Sequence, residues 1–181
     1  MKRKIMLVGL IAAVAAVVAA AAAFAVSGGD LPADRTSGHV VIQGIQGGDP
    51  GSNSIAVESW SWGVSSTATA GGGGGGGTGR ADLQELSIVK TVDKASPKLA
   101  EKCAEGQHIQ QVVLTVDRPG GSGRLYMEYK LTDVIISSVQ QGASGAAIPL
   151  ETLTFVYREI ELTYTTRDGE VVHTEIENTD T

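Results

Sequence analysis

The sequence predicts a mostly β protein: an antiparallel β-barrel or sandwich with one short α-helix, preceded by an N-terminal hydrophobic helix. Three observations predict this class. Segments with period-2 alternation of apolar and polar residues recur between residues 38 and 177. Glycine-rich segments join most of them. Only one segment of that region has both the start and the stop signals of a helix.

The first predicted strand is His39 to Gln43, and the most β-favouring stretch follows it at Ile55 to Val64. Alternation along this second stretch places Trp60, Trp62 and Val64 on one face of a single strand. Each buried indole removes roughly 150–250 Å² from water. In a chain with 4% aromatic residues, we therefore expect the two tryptophans to anchor the core.

A loop is predicted for Ser65 to Gly79, because Gly71 to Gly77 is an unbroken run of glycine. A phosphate-binding loop is the alternative, but Thr78-Gly79-Arg80 lacks the Gly-Lys-Ser/Thr sequence that such a loop needs. Arg80 to Val92 is then predicted as one long strand.

The single helix is predicted for Pro97 to Glu105. Ser96 is the expected N-cap, Pro97 suits the first helical position and Gly106 is the expected terminator. Cys103 lies four residues after Leu99 on the same helix face. This position favours a small buried hydrophobic role for Cys103 over a nucleophilic one.

Three more long strands are predicted: Ile109 to Val116, a return strand after a hairpin loop at 118–123, and Leu150 to Thr165. The return strand alternates most cleanly, and its apolar face comprises Leu125, Met127, Tyr129 and Leu131. Residues 133–139 continue or bend that strand, and a loop is predicted for 140–147. The inward set of the Leu150 strand changes along its length, for which we predict a bulge near Arg158. Glu170 to Ile176 is predicted as a short final strand.

The first 26 residues are predicted to be a signal peptide or a membrane anchor. Lys2, Arg3 and Lys4 precede an uncharged apolar run, Ile5 to Val26, which contains Ala23-Phe24-Ala25 near its end. Cleavage after about Ala25 and retention as an anchor both stay open, and both export the rest of the chain. The remaining organisation is a linker at 27–37, a barrel domain at 38–177 and a tail at 178–181.

Composition and charge exclude several functions. Without the three basic residues at its start, the chain has 11 basic and 20 acidic residues, a net charge of −9 that disfavours nucleic acid as a partner. Cys103 is the only cysteine, so no internal disulfide forms. The histidines, His39, His108 and His173, have no metal-ligand spacing, and no Gly-x-Ser-x-Gly motif occurs. We therefore predict no catalytic residues, no cofactor-binding residues, no metal ligands and no enzyme activity.

Taken together, the segments resemble the Hcp family, the haemolysin-coregulated proteins of type VI secretion systems. The strings that carry the resemblance are Gly38 to Gly44 with Ile45 and Gly47, Ser-Trp-Ser-Trp-Gly-Val (59–64), Asp-Leu-Gln-Glu-Leu-Ser (82–87), Lys-Thr-Val-Asp-Lys-Ala-Ser-Pro-Lys-Leu (90–99), Cys-Ala-Glu-Gly-Gln-His-Ile (103–109) and Leu-Thr-Asp-Val-Ile-Ile-Ser-Ser-Val (131–139). They occur in the family's order and cover nearly all of residues 38–165.

The resemblance implies a compact barrel with one flanking helix that assembles into a homohexameric ring. Family rings stack into a hollow tube that carries small effector proteins, so the implied role is structural and non-catalytic. Residues 65–79 resemble an extended loop that in the family reaches a neighbouring ring. One departure is the leader, because typical tube subunits have none. The alternative is an exported or membrane-anchored stand-alone β-barrel binding module, which contacts the membrane only through its N-terminal segment.

Overall fold

The computed structural model describes residues 38–48, 53–66, 81–117, 125–145 and 147–178. The predicted leader and linker, the glycine run, the 118–123 hairpin loop and tail residues 179–181 lie outside the described residues. Within these ranges, none of the helical structure has the length and apolar character needed to cross a membrane.

The described residues form ten strands and one helix. They are β1 (Gly38–Ile42), β2 (Ser54–Val57), β3 (Ser59–Ser61), β4 (Val64–Ser66), β5 (Ala81–Leu83), β6 (Leu86–Thr91), α1 (Ser96–Glu105), β7 (Ile109–Asp117), β8 (Leu125–Gly142), β9 (Leu150–Thr165) and β10 (Val171–Glu177).

One stretch of chain closes the main sheet into a barrel. The antiparallel strand order is β2-β1-β7-β8-β9-β6-β3, with β10 added to β9. The two terminal strands of this order, β2 and β3, are separated in sequence only by Glu58. The Glu58 N–H donates to the Val89 carbonyl of β6 at 2.8 Å. This bond links the β2 end of the sheet to the β6–β3 end. The predicted antiparallel β-barrel with one short helix is therefore confirmed, whereas the predicted N-terminal hydrophobic helix lies outside the described residues.

Aliphatic side chains and Phe155 form the hydrophobic core. Its largest fully buried apolar residues are Phe155, Ile42, Ile55, Leu86, Ile88, Leu99, Ile109, Leu114, Leu131, Ile136 and Leu153. They come from six strands of the barrel and from the helix, so a single core holds the helix against the sheet.

The single strand predicted over Ile55 to Val64 is wrong, because it is broken at Glu58 and again after Ser61. Ile55 is fully buried. The break at Glu58 shifts the alternation by one residue, so that even-numbered positions face inward after it. Trp60 and Trp62 are only partly buried and pack against the margin of the core, while Val64 is exposed. The aliphatic residues, and not the two indoles, anchor the core.

The long strand predicted over Arg80 to Val92 is also divided. Residues 84 and 85 separate β5 from β6, and β5 pairs with β4 in a second, two-stranded sheet. Ile88 is buried, Leu83 is partly buried, and Val92 lies exposed beyond the end of β6.

The helix lies where it was predicted and ends at Glu105. Gly106 follows in the left-handed conformation, with φ of 60°, which glycine adopts without steric cost. The N-cap prediction is wrong: Ala95 occupies that position, and helical residue Ser96 turns its buried side chain inward. Leu99 is buried and Cys103 partly buried, in agreement with the predicted face.

The predicted bounds of β9 match the structure, but the bulge near Arg158 does not. Thr132 pairs with Glu159 and Val134 with Tyr157, so the β8–β9 register is unbroken there. The register shift instead lies between Ile136 and Ser138.

The inward face does change near Arg158, and β8 changes with it. On β9 the buried side chains switch from Tyr157 to Ile160, and on β8 they switch from Leu131 to Val134. Asp133, within the β8 switch, has a φ of 55°. Because β8 and β9 change their buried face at paired positions, their pairing requires no extra residue in either strand.

The other strands agree with prediction to within a few residues. β1, β7 and β10 each differ from the predicted bounds by one residue at one or both ends, and β8 extends two residues beyond the predicted start of the 140–147 loop. On its apolar face, Leu131 is buried, and Met127 and Tyr129 are partly buried.

Candidate functional site: the loop stem and the helix junction

The three histidines lie on separate strands or their approaches. His39 Nε2 is 3.9 Å from Asp117 Oδ2, and His108 Nδ1 is 2.7 Å from Asp133 Oδ1. His173 Nδ1 lies 3.4 Å from Thr163 Oγ1. The absence of catalytic, cofactor-binding and metal-ligating residues stays a prediction.

The structure contains one carboxylate cluster that the sequence did not predict. Oxygens of Glu159, Glu175 and Glu177 lie within 4.8 Å of one another. The cluster depends on the β9–β10 register, in which Glu177 faces Glu159 and Glu175 faces Glu161. Two of its three members are exposed, and nothing else among the described residues indicates a ligand at this position.

The first candidate functional feature is the loop stem, which we define as the β4–β5 pair. Val64 pairs with Leu83 and Ser66 with Ala81, so the stem holds the two ends of the segment that contains the glycine run. At its base, the Gln84 N–H donates to the Gly63 carbonyl at 3.0 Å.

A buried tyrosine attaches the stem to the barrel. The Tyr157 hydroxyl donates to the Gln84 carbonyl at 2.8 Å and accepts a hydrogen bond from Trp62 Nε1 at 2.5 Å. The Trp62 ring also packs edge-on against Tyr129, with centroids 6.0 Å apart. Trp62 therefore joins the stem to two strands of the barrel wall.

The environment of Tyr157 favours its neutral form. Burial raises the pKa of the Tyr157 hydroxyl above its ordinary value of 10.0, and the hydrogen bond from Trp62 opposes this rise. The neutral hydroxyl keeps the proton that it donates to the Gln84 carbonyl, so burial preserves this bond at the base of the stem.

The second feature is the helix junction, which we define as Lys90, Asp93, Ser96 and Glu151. Lys90 and Glu151 are both fully buried, with Lys90 Nζ 3.0 Å from Glu151 Oε1. Lys90 Nζ also lies 3.1 Å from Asp93 Oδ1 and donates to the Thr91 carbonyl at 2.8 Å. The Lys90 ammonium group therefore has two carboxylate partners and one carbonyl acceptor, as a buried charge requires.

Ser96 connects this pair to the start of the helix. Its hydroxyl donates to Glu151 Oε1 at 3.0 Å and accepts from the Asp93 N–H at 3.0 Å. Asp93 Oδ1 accepts from the Ala95 N–H at 2.8 Å, and Gln141 Nε2 donates to Glu151 Oε2 at 2.6 Å. The junction thus joins β6, β8, β9 and the first turn of α1 through one buried polar network.

The alternation of inward and outward residues along β6 and β9 contains a signal for this network. Lys90 continues the inward set Leu86 and Ile88, and Glu151 precedes the inward set Leu153 and Phe155. Opposite charges at inward positions of two strands indicate a buried pair only when the strands are neighbours. That adjacency is visible in the sheet, where Lys90 faces Glu151 directly.

Comparison with protein families decides the classification. The model of the family described as "Type VI secretion system effector, Hcp" matches residues 35–164, from before β1 to the penultimate residue of β9. The chain belongs to the Hcp family. The Trp-Ser-Trp-Gly string of this Hcp chain leads into its loop stem, and the Lys90 to Leu99 string supplies three of the four residues of its helix junction.

Individual relatives agree with this assignment. Protein hcp1 of Pseudomonas aeruginosa is 44% identical over 115 residues, 62% of this Hcp chain and 71% of the relative. A crystal structure of a type VI secretion system effector from Yersinia pestis matches with 25% identity and a TM-score of 0.66, over 78% of this chain and 99% of that one. Hcp1 from Salmonella typhimurium matches with 25% identity and a TM-score of 0.65, over 78% and 94%.

Proposed function

We propose that this protein is a structural, non-catalytic subunit of type VI secretion that assembles into a homohexameric ring. The observation that carries the proposal is the family match, which spans the barrel from β1 through β9 and includes both the loop stem and the helix junction. A ring needs one patch of each subunit to contact a different patch of the next, a heterologous interface that closes on itself. The closed barrel supplies a rigid unit for such packing.

The proposed partners are other copies of the chain and small effector proteins carried by the assembly. The loop stem supports this role, because the Tyr157 hydroxyl bonds Trp62 and the Gln84 carbonyl and so attaches the base of the stem to the barrel. In the resembling family the corresponding loop reaches a neighbouring ring. We propose the same destination for the segment that this stem presents.

We also propose that residues 1–26 export the domain, with a linker at 27–37, the barrel at 38–177 and the tail at 178–181. Lys2, Arg3 and Lys4 followed by the apolar run support this proposal. N-terminal sequencing of the protein from expressing cells tests it. A product that begins after about Ala25 indicates cleavage, and an intact N-terminus in the membrane fraction indicates an anchor. An intact N-terminus in the cytosolic fraction contradicts export.

Mass photometry of a fragment beginning at Ser27 tests the ring. The Salmonella structure is matched over 94% of its own length by 78% of this chain, so the barrel region corresponds to nearly a whole solved protein and is expected to fold alone. The predicted mass is six times that of the protomer. A monomer at micromolar concentration contradicts the proposal.

A further inference from the structure

The structure contains a groove on the outside of the barrel that the sequence did not predict. Its volume is about 460 Å³, within the range of ligand sites, roughly 300–1,000 Å³. We call it the amide groove, because four of its lining residues have exposed primary amide side chains, and two others are valines. These residues are Gln43, Gln46, Asn53, Gln111, Val41 and Val113.

Paired strands and a close backbone contact fix the shape of the groove. Along one side, β1 and β7 are adjacent strands of the barrel. Along the other side, a Cβ at Gly47 would lie 1.9 Å from the Ser54 carbonyl oxygen, so these two backbones are in direct contact. Gln46 and Asn53 each precede one of the two contacting residues. The spacing between their amide side chains is therefore set by the fold.

The lining chemistry indicates a ligand that consists of peptide groups. None of the described residues that line the groove is charged, so the groove offers no ion pair to a phosphate or a carboxylate. A primary amide side chain instead supplies a carbonyl acceptor and an NH₂ donor. A peptide group presents the same two functions. Four amide side chains beside two valines thus suit an extended, uncharged polypeptide whose main chain is accessible.

The chain itself contains a segment with this chemistry. Residues 67–79 are all glycine, alanine or threonine, so none of them is charged. A glycine has no side chain, so a partner can approach its N–H and carbonyl groups closely. The unbroken glycine run, 71–77, can be recognised only through its main chain. The amide side chains of the groove provide that form of recognition.

The loop stem determines how far this segment can extend. Ser66 pairs with Ala81, so the stem holds together the two ends of residues 67–80. Half of that segment, seven residues, spans at most about 25 Å when fully extended. This length allows the glycine run to cross from one copy of the chain into another copy that contacts it.

We propose that the amide groove of one copy binds the glycine run of a second copy through hydrogen bonds to its main chain. This inference rests on the proposed assembly of the chain into rings, because a contacting copy must bring the run within reach. Glycine loses more conformational freedom on ordering than any other residue, so each contact is weak by itself. The assembly supplies the high effective concentration that such a contact needs.

Disulfide trapping in the full chain tests the contact. All variants carry Cys103→Ser, which removes the only native thiol, and Gly74→Cys within the glycine run. The test variant adds Val41→Cys in the groove, and the control adds Val171→Cys on β10. These valines are 42% and 59% exposed, and three strands, β7, β8 and β9, separate β1 from β10. Permeabilised cells that express each variant are oxidised with copper phenanthroline and compared on non-reducing gels. Val113→Cys, also in the groove, replaces Val41→Cys if that variant fails to fold.

The expected result is roughly tenfold or more disulfide-linked dimer with the groove cysteine than with the β10 cysteine, because only the groove concentrates the run at its surface. Equal dimer yields at the two positions overturn the inference. A cross-linked monomer that migrates faster than the reduced chain shows that the run occupies the groove of its own copy, and it also overturns the inference.

Removing amide side chains tests how the run is recognised. Asn53→Ala with Gln111→Ala, added to the test variant, should lower the dimer yield roughly threefold or more, because two donor and acceptor pairs are lost. Gln107→Ala with Gln140→Ala is the control, since these exposed amides lie outside the groove, and the yield should not change. Equal yields in the two double variants overturn the inference. A hexamer of the fragment from Ser27 without preferential trapping overturns this inference alone, whereas a monomeric fragment contradicts the ring as well.

Discussion

Lys90 Nζ lies 3.0 Å from Glu151 Oε1, and both side chains are fully buried between the barrel and the first turn of the helix. Because Ser96 and Asp93 complete the same network, the position of α1 depends on these charges as well as on apolar packing. A buried ion pair contributes little net stability compared with an apolar pair, but removing one partner leaves an uncompensated charge.

Replacing Lys90 by Met is therefore expected to destabilise the fold by about 3–5 kcal/mol, because Glu151 remains buried without its ammonium partner. Urea unfolding of the fragment from Ser27 measures the loss. Lys98→Met is the matched control, since Lys98 pairs with Glu101 on the exposed face of α1, and the urea midpoint of this variant should barely move.

The double variant Lys90→Met with Glu151→Leu is expected to recover much of the loss, because both charges are removed together. A double variant less stable than Lys90→Met alone would contradict the account of the junction as a compensated charge pair.

Trp62→Phe is expected to loosen the loop stem and to destabilise the fold by about 1–2 kcal/mol, because Tyr157 loses its indole donor and the ring contact with Tyr129 shrinks. Hydrogen exchange of the Gln84 amide, which is bonded to the Gly63 carbonyl, should accelerate. Trp60→Phe is the control, and it should leave that amide unchanged. Equal acceleration in both variants would argue against a specific role for Trp62.

Removal of the Tyr157 hydroxyl has an effect that depends on pH. The folded-state pKa of Tyr157 is raised above 10.0, so the hydroxyl stabilises the fold fully below about pH 10, and this contribution is lost as pH rises through the raised folded-state pKa. At pH 8, Tyr157→Phe should cost roughly 1–2 kcal/mol through its two hydrogen bonds. The stability difference from the parent should narrow above pH 10, and a constant difference up to pH 11 would contradict the burial of a neutral hydroxyl.

Gly106→Ala is expected to cost about 1 kcal/mol, because Gly106 has a φ of 60° and alanine is strained in the left-handed region. A Cβ at this position meets nothing within 4 Å, so the loss reports backbone conformation alone. Gly142→Ala is the matched control, since it also opens into free space and has no positive φ. Equal losses in the two variants would refute this explanation.

Local patterns in the sequence predict those parts of the fold that depend on local physics. The end of α1 at Gly106, and the alternation in β7 and β9, depend on the chemistry of neighbouring residues. The break at Glu58 does not, because it arises when one short stretch must pair with β1 on one side and with β6 on the other. Closure of the barrel is a global requirement that overrides the alternation of the Trp60 segment.

The side-chain contacts of the helix junction are also not predictable from local sequence patterns. A serine before proline is a reasonable N-cap by local rules, yet Ser96 is drawn inward by Glu151, a residue 55 positions away. The loop stem likewise depends on Tyr157, which is 95 positions from Trp62. Such contacts follow from strand order, which local periodicity does not specify.

The symmetry of the assembled particle tests the central claim most directly. Negative-stain electron microscopy of the fragment from Ser27, with classification of end-on views, measures it without reference to cargo or apparatus. The account predicts rings with six-fold rotational symmetry and a central opening. Single barrels, or closed particles of another symmetry, would contradict it.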